Sequence, residues 1–356
     1  MFIDFLRQHR VCVARSTLML LFIVAAFANS PAQASAQWTK QKSNTLAWLH
    51  AVYFIDEQKG WAVGGNGALL STNDGGAKWR TLPRPAEDAL RDLYFADANT
   101  GWLVCERNIY QLKTENEPRT YLLHTRDGGA TWQRVDVTKA SPDERLVRAI
   151  FTNNGTRGWA FGEAGALYAT RDGGASWARQ LLPTRRLLLG GAFFDTDQGW
   201  LVGAGATLLQ TSDGGETWRT GYALDTSNAR LNATSFVDAT HGWAVGAQGR
   251  ILFTMNGGRT WRAQNSMVAT DLYDVKFVDR GEGWAVGAEG VLLHTMNGGA
   301  TWTLERSGTT HPLERLYMIG RTRGWAVGFG GTIIAYGVGD SLSPPRIPQL
   351  KNSTTH

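Results

Sequence analysis

The chain has 356 residues, 43% of them hydrophobic and 19% charged, with a formal net charge of +5. Residues 1–36 hold three arginines and one aspartate, so the remainder carries only about +3, too little to argue for nucleic acid as a partner. Forty-two glycines and fifteen tryptophans exceed an average globular composition and call for a search for repeats before any count of domains.

The N-terminus reads as an export signal. Arg7, Arg10 and Arg15 precede an apolar segment over 16–29, and small residues follow with A-x-A sites ending at Ala34 and Ala36. This is the layout of a secretory signal peptide, and the apolar run is short for a bilayer span. Residues 1–36 are therefore expected to be a signal cleaved after Ala34 or Ala36, with an uncleaved anchor as the alternative. The destination is the periplasm or the lumenal side of a membrane. Cys12 lies in this segment without a lipobox, which leaves Cys105 as the lone cysteine of the exported part. No disulfide can form within that part, and a buried small side chain is the expected role of Cys105.

From there the chain repeats. Gly-Trp pairs stand at Gly60-Trp61, Gly101-Trp102, Gly158-Trp159, Gly199-Trp200, Gly242-Trp243, Gly283-Trp284 and Gly324-Trp325, with Trp-to-Trp steps of 41, 57, 41, 43, 41 and 41. Each unit reads as four short strands, here A to D. An alternating run such as 272–277 is followed by Gly-Trp-Ala-Val-Gly, then Leu-Leu-x-Thr, then Asp/Asn-Gly-Gly-x-x-Trp. Short apolar runs punctuated by Gly and Asp are antiparallel strands. Four of them per forty residues is the period of a propeller blade. The expected fold is all-β, a seven-bladed β-propeller over residues 37–340, with 341–356 as a disordered Pro-rich tail.

The Asp-Gly-Gly element has its own logic. It occurs at Asp74, Asp127, Asp172, Asp213, Asn256 and Asn297, each with Thr two residues before and Trp five after. The side chain can bond the backbone of its own turn, the glycines permit positive φ, and the Trp buries a large apolar area. This resembles the Asp-box, a structural hairpin on the blade rim, so these six residues are assigned a structural and not a catalytic or metal-binding role. The seventh unit has no such box. Trp38 matches the Trp of a strand D, so the segment after the signal is expected to pair with the last blade and close the ring, which removes open sheet edges.

The two faces are expected to differ. The turns between A and B and the Asp-box turns are short and uniform. The extra residues fall in the B–C loop of blade 2, about 105–120, and in the following D–A loop, about 135–146. Both lie on one face, where binding on a rigid scaffold is usually carried. The same face is rich in arginine. Arg91, Arg148 and Arg315 stand at the start of strand A near the channel mouth, and Arg145, Arg185, Arg186 and Arg230 stand just before it. These seven are the candidate partner-binding residues, because arginine grips carboxylates bidentately. Acids including Asp88, Asp92, Glu144, Asp271, Asp274 and Glu314 share the face, so a salt-bridged rim is the competing reading.

From Trp38 to Tyr336 the repeat, with its Gly-Trp-Ala-Val-Gly, Gly-x-Leu-Leu-x-Thr and Asp-Gly-Gly-x-x-Trp motifs, resembles the photosystem II assembly and stability factors of cyanobacteria and plastids and their bacterial relatives. The resemblance implies a non-enzymatic assembly factor that contacts an early membrane-protein intermediate through an arginine patch, with Arg91, Arg148, Arg185, Arg186 and Arg315 as the nearest counterparts. It implies no cofactor and no metal. The partner would be a membrane-protein complex or its acidic or C-terminal segment, and the protein is expected to act as a monomer without nucleic acid.

Three alternatives stand beside this. In a bacterium that does not photosynthesise, the partner would be another envelope complex, such as a transporter. A sialidase-like glycoside hydrolase shares Asp-boxes, but that family uses six blades and an Arg-Ile-Pro motif near the first, whereas the only such motif here is Arg346-Ile347-Pro348. A glycan binder would use free aromatic residues, for which Trp48 and Tyr110 are the candidates. No His-Glu-x-x-His, Cys/His cluster or phosphate loop is present.

Overall fold

The structure, a computed structural model, describes residues 37–337 apart from 113, 115–116, 139–140, 153–154 and 225–226. The expected signal peptide and C-terminal tail lie outside the described residues. Seven antiparallel sheets form the blades. Their innermost strands are Leu49–Phe54, Ala89–Phe95, Leu146–Thr152, Leu188–Phe193, Leu231–Phe236, Leu272–Phe277 and Leu313–Ile319. Each touches the next, and the last touches the first, so the ring closes around a central channel.

The Gly-Trp repeat follows from packing between blades. At six of the seven junctions the Trp of strand B lies flat on a Phe of the next blade's strand A, and at the seventh, after Trp284, Met318 holds the place of the Phe. Trp61 stacks on Phe95 at 3.7 Å, Trp159 on Phe193 at 3.6 Å, Trp200 on Phe236 at 3.6 Å and Trp325 on Phe54 at 3.5 Å between centroids. In six blades the Gly before the Trp makes room for the Phe of its own blade, and in blade 7 Gly324 makes room for Met318: a Cβ on Gly60 would stand 2.4 Å from the Phe54 ring, and one on Gly199 2.2 Å from Phe193. The Asp-box Trp then meets the same Phe edge-on, as Trp79 does Phe54 and Trp218 does Phe193. One Phe thus sits between two tryptophans, and the sandwich repeats at six of the seven junctions.

The Asp-boxes fold as hairpins. In the box at Asp172, Thr170 Oγ1 donates to Asp172 Oδ1 (2.8 Å) and accepts from Gly174 N (2.8 Å), while Ser176 N donates to Asp172 Oδ1 (2.9 Å). The same bonds recur at Asp74, Asp127, Asp213, Asn256 and Asn297. These bonds hold the exposed carboxyls of Asp127 and Asp172 down at about 2.

The N-terminal strand Gln37–Gln41 pairs antiparallel with Ile333–Gly337 and completes blade 7, with Trp38 opposite Tyr336. It is a strand D in detail. Gln41 accepts from Trp79 Nε1 (3.0 Å) and donates to Gly75 O (3.3 Å), as Gln264 of blade 5 does with Trp302 and Gly298. Blade 5 departs from four strands: Tyr222–Ala223 adds a fifth, parallel to Thr260–Gln264.

Every inner strand carries one β-bulge, at the residue after its leading leucine, between Leu49 and Ala51, Leu90 and Asp92, Leu146 and Arg148, and so on round the ring. A bulge twists the strand and re-aims the side chains beside it. The polar residues of the channel sit at and just after these bulges.

Candidate functional site

The loops sort onto two faces by their backbone bonds. B–C loops bond D–A loops, as in Gly65 N to Trp48 O (2.9 Å), Glu163 N to Arg145 O (2.8 Å) and Ala247 N to Arg230 O (2.8 Å). Asp-box turns bond A–B turns, as in Gly75 N to Gln58 O (2.9 Å) and Gly214 N to Asp197 O (2.8 Å). Most B–C turns pass through two consecutive left-handed residues, Ala164 (φ 53°) and Gly165 (φ 68°) in blade 3 for example. In blade 2 the longer loop replaces that turn. Arg119 joins its two sides, donating its N–H to Pro142 O (3.0 Å) and accepting from Arg107 N (2.9 Å). The two insertions are therefore stitched together on the same face.

An ion-pair band runs over this face from Glu314 of blade 7 through blades 1, 2 and 3, with a separate pair between blades 5 and 6. Glu106 is its hub. It accepts from Arg91 Nε at 2.5 Å and from Arg145 at 2.6 and 2.9 Å in two-pronged fashion. Burial alone would raise the Glu106 carboxyl, but Arg145 and Arg91 outweigh it and hold the group below its usual value. Arg145 also reaches Glu163 (3.2 Å), which takes Arg119 (3.3 Å). Arg91 Nη1 lies 3.3 Å from His50, whose other ring nitrogen is 3.3 Å from Glu314. Glu144 binds Arg179 at 2.8 Å, and Asp271 binds Arg230 at 3.0 Å. A cleft of about 620 Å³ between blades 1 and 2 is lined by Arg84, Arg91, Arg107 and Arg119 together with Glu87 and Glu106.

The remaining candidates fall into two places. Arg185 and Arg186 are exposed on the connection from blade 3 to blade 4. Arg186 donates to Gly205 O, and neither meets an acid among the described residues. Arg148 and Arg315 reach inward. They stand just past their bulges, in a ring of equivalent positions with Ala51, Asp92, Gly190, Ala233 and Asp274. Arg315 Nη2 crosses the small Ala51 of blade 1 to reach Asp92 Oδ1 at 3.3 Å. Asp92 and Asp274 each accept a backbone N–H of the following blade, from Ala149 (3.2 Å) and Leu316 (3.0 Å). Burial and the neighbouring Arg315 push the Arg148 guanidinium down to about 10.

Two residues further along the strands, Tyr53, Tyr94 and Tyr317 pack together, with ring centroids 5.2 and 4.9 Å from Tyr53. Burial raises all three phenols, Tyr317 to about 12. Lys276 occupies the same level, and burial with Arg315 and Arg148 lowers its ammonium.

The seven sequence candidates are thus divided. Arg91, Arg145 and Arg230 are tied up in ion pairs, Arg185 and Arg186 lie open, and Arg148 and Arg315 belong to the channel. The reading of the sequence missed Glu106, Glu163, His50 and Lys276. Glu106 carried a signal, because Cys105 replaces the Gly that ends strand B elsewhere and Glu106 extends that strand by one residue. Cys105 is fully buried, and burial raises its thiol above the usual range. Trp48 is half exposed and meets Phe329 edge-on at 5.4 Å, while Tyr110 is almost wholly exposed on a turn capped by Asn108. Among the described residues no group of His, Cys, Asp and Glu converges as a metal site, and no helix is long and apolar enough to cross a membrane.

A photosystem II assembly lipoprotein, Ycf48, of Synechococcus sp. (strain CC9902) is 28% identical over 151 residues, which span 41% of this chain and 41% of that protein. The chloroplastic photosystem II stability/assembly factor of Cyanidioschyzon merolae (strain NIES-3377 / 10D) is 35% identical over 81 residues, 22% of this chain and 16% of that protein. The chain therefore matches less than half the length of either relative. Among solved structures, YCF48 bound to D1 peptide superposes with a TM-score of 0.68 at 21% identity, covering 87% of this chain and 99% of that one; at this identity the likeness concerns the fold. Residues 30–181, 176–264 and 222–312 match the family model described as photosynthesis system II assembly factor YCF48, and the chain belongs to that family.

Proposed function

We propose that this protein is an exported, non-enzymatic assembly factor that holds an acidic or C-terminal segment of a membrane-protein partner against its loop face. The observation that carries the reading is an imbalance. The face's acids Glu106, Glu144, Glu163 and Asp271 are already spent on Arg91, Arg145, Arg119, Arg179 and Arg230, which leaves Arg185 and Arg186 without an acid. Exposed guanidinium groups without an acid favour an incoming carboxylate, which they can bind in bidentate fashion. Family membership supports the assembly role, and the D1 peptide in the solved YCF48 structure supports a peptide segment as the bound form. The signal layout of residues 1–36 supports action on the periplasmic or lumenal side.

The test is charge reversal. Arg185→Glu with Arg186→Glu should reduce affinity for a short acidic peptide with a free C-terminus by at least about tenfold, measured by fluorescence anisotropy, and steepen with lowered salt. It should also abolish co-purification of the host's membrane complex. Unchanged affinity in the double variant would sink the loop-face reading.

A further inference from the structure

We propose that the loops joining blades 7 and 1 form a docking patch for an anionic lipid surface. The D–A loop entering blade 1 shares its turn with two others. Ser43 Oγ donates to Thr45 O (3.3 Å), Ser266 Oγ to Val268 O (3.1 Å) and Ser307 Oγ to Thr309 O (3.0 Å). After that turn the loops diverge. Where one loop has Ala269 and Asp271 and the other Thr310 and Pro312, this one has Leu46 and Trp48. The facing B–C turn of blade 7 diverges as well: it begins with Phe329, where blades 1, 5 and 6 have Gly65, Ala247 and Ala288. Leu46 is 88% exposed, Trp48 43% and Phe329 46%. The blade repeat therefore gives these three apolar side chains no packing role. The patch is nonetheless held in shape. Phe329 sits edge-on between Trp48 at 5.4 Å and His311 at 5.5 Å, and Gly331 N donates to Ala47 O (2.8 Å).

Positive charge is in excess beside it. Exposed Lys40 and Lys42 line the same cleft as Leu46, and Lys40 and exposed Arg306 line the next one with His311. None of these three cations is in an ion pair among the described residues. Of the acids there, Glu305 is taken by His294 at 2.8 Å, which leaves Glu289. Projecting apolar side chains beside unpaired cations are the arrangement of an interfacial anchor. Leucine and phenylalanine enter below the headgroups, tryptophan sits at their level, and lysines attract anionic lipid. A stable protein interface takes about 20–30 residues a side, far more than this patch offers. A sugar stacks on an open ring face, and Trp48 has His50 at 5.6 Å and Phe329 against it. None of the seven candidate arginines takes part, so the patch does not rest on the peptide reading.

The experiment is co-sedimentation with vesicles of phosphatidylcholine, with and without phosphatidylglycerol. Parent and variants are prepared alike, so whatever residues 1–36 contribute is common to all. The parent should bind the phosphatidylglycerol vesicles more tightly, and the preference should shrink with added salt. Leu46→Asp should weaken binding by at least about tenfold, and Lys40→Glu/Lys42→Glu by about tenfold or more. Leu181→Asp, at a leucine 84% exposed outside the patch, should bind as the parent does. Leu46→Asp should also keep its affinity for the acidic peptide, so the two readings fail separately. Hydrogen exchange gives the location: phosphatidylglycerol vesicles should slow exchange over 44–48 and 329–332 and leave the Asp-box turns of the opposite face unchanged. The proposal is overturned if the parent does not distinguish the two vesicles, if Leu46→Asp binds them as tightly as the parent, or if exchange in these loops does not slow. Loss of a protein partner in Leu46→Asp with vesicle binding intact would assign the patch to a protein surface instead.

Discussion

The indole of Trp243 lies flat on the ring of Phe277, with centroids 3.5 Å apart and planes within 6°. Trp243 belongs to blade 5 and Phe277 to blade 6, and Trp302 closes the sandwich edge-on at 5.7 Å. Truncating a buried aromatic side chain of this kind costs about 3–5 kcal/mol, so Phe277→Ala should lose that much in urea unfolding. Gly283→Ala should also destabilise, because its Cβ would stand 2.5 Å from the Phe277 ring. A loss below about 1 kcal/mol in both variants would show that the stack is not what joins the blades.

Ring closure makes the second prediction. Trp38 is buried against Tyr336, and Gln37–Gln41 covers an outer edge that would otherwise be open in blade 7. Deleting residues 37–41 should expose the Ile333–Gly337 edge and give aggregates or strand-exchanged oligomers on size exclusion. Trp38→Ala should cost about 3 kcal/mol and remain monomeric. A deletion variant that stays monomeric with an unchanged midpoint would mean that the closing strand is dispensable.

The period of the Gly-Trp pairs was enough to read the blades, the closing strand and the two unequal faces, because the same local packing recurs at each junction. The channel was less legible. Its charges sit one or two residues past the leading leucine, where the repeat holds no fixed residue, and only the bulge brings Asp92, Arg148, Asp274 and Arg315 to one ring. The partners of the arginines were also hidden, since Glu106 meets Arg145 from 39 residues away across a blade boundary. Spacing along a chain reports what repeats, and ion pairs at single junctions do not repeat.

Glu106 yields the third prediction. It neutralises Arg91 and shares Arg145 with Glu163, so Glu106→Gln should leave Arg91 without an acid beside the cleft and Arg145 with Glu163 alone. Stability should fall by about 1–3 kcal/mol, while affinity for an anionic peptide should rise. The depressed carboxyl means that its contribution is present above the ordinary glutamate range and is lost as pH falls through the folded value. The variant should therefore flatten the acid limb of stability against pH. An unchanged acid limb would refute the hub.

Two histidines at equivalent places give the last prediction. His124 and His294 each lie flat on the strand-B Trp of their own blade, Trp102 and Trp284, at 4.6 Å. Their surroundings differ. Burial and then Arg126 lower His124. Burial also disfavours the charged form of His294, but Glu305 at 2.8 Å and Glu282 at 3.2 Å outweigh it and raise that imidazole. The signs are therefore opposed. The contribution of His294 is fully present below the unfolded histidine value and is lost as pH rises through the folded one. That of His124 is present above the unfolded value and is lost as pH falls through the folded one. Between about pH 5 and 8 the two partly cancel in the parent protein. His294→Gln should make stability rise more steeply with pH than the parent's, and His124→Gln should make it fall, each read as the difference between urea midpoints at the two ends of that window. The Trp284 seam explains why the pair matters at blade 6: Met318 replaces the stacking Phe of blade 7, and the Trp284 N–H has no acceptor among the described residues. There the His294–glutamate cluster stands in for packing that every other junction has, so of the two variants His294→Gln should lose more stability at pH 5. Equal losses, or slopes of the same sign, would contradict the assignment.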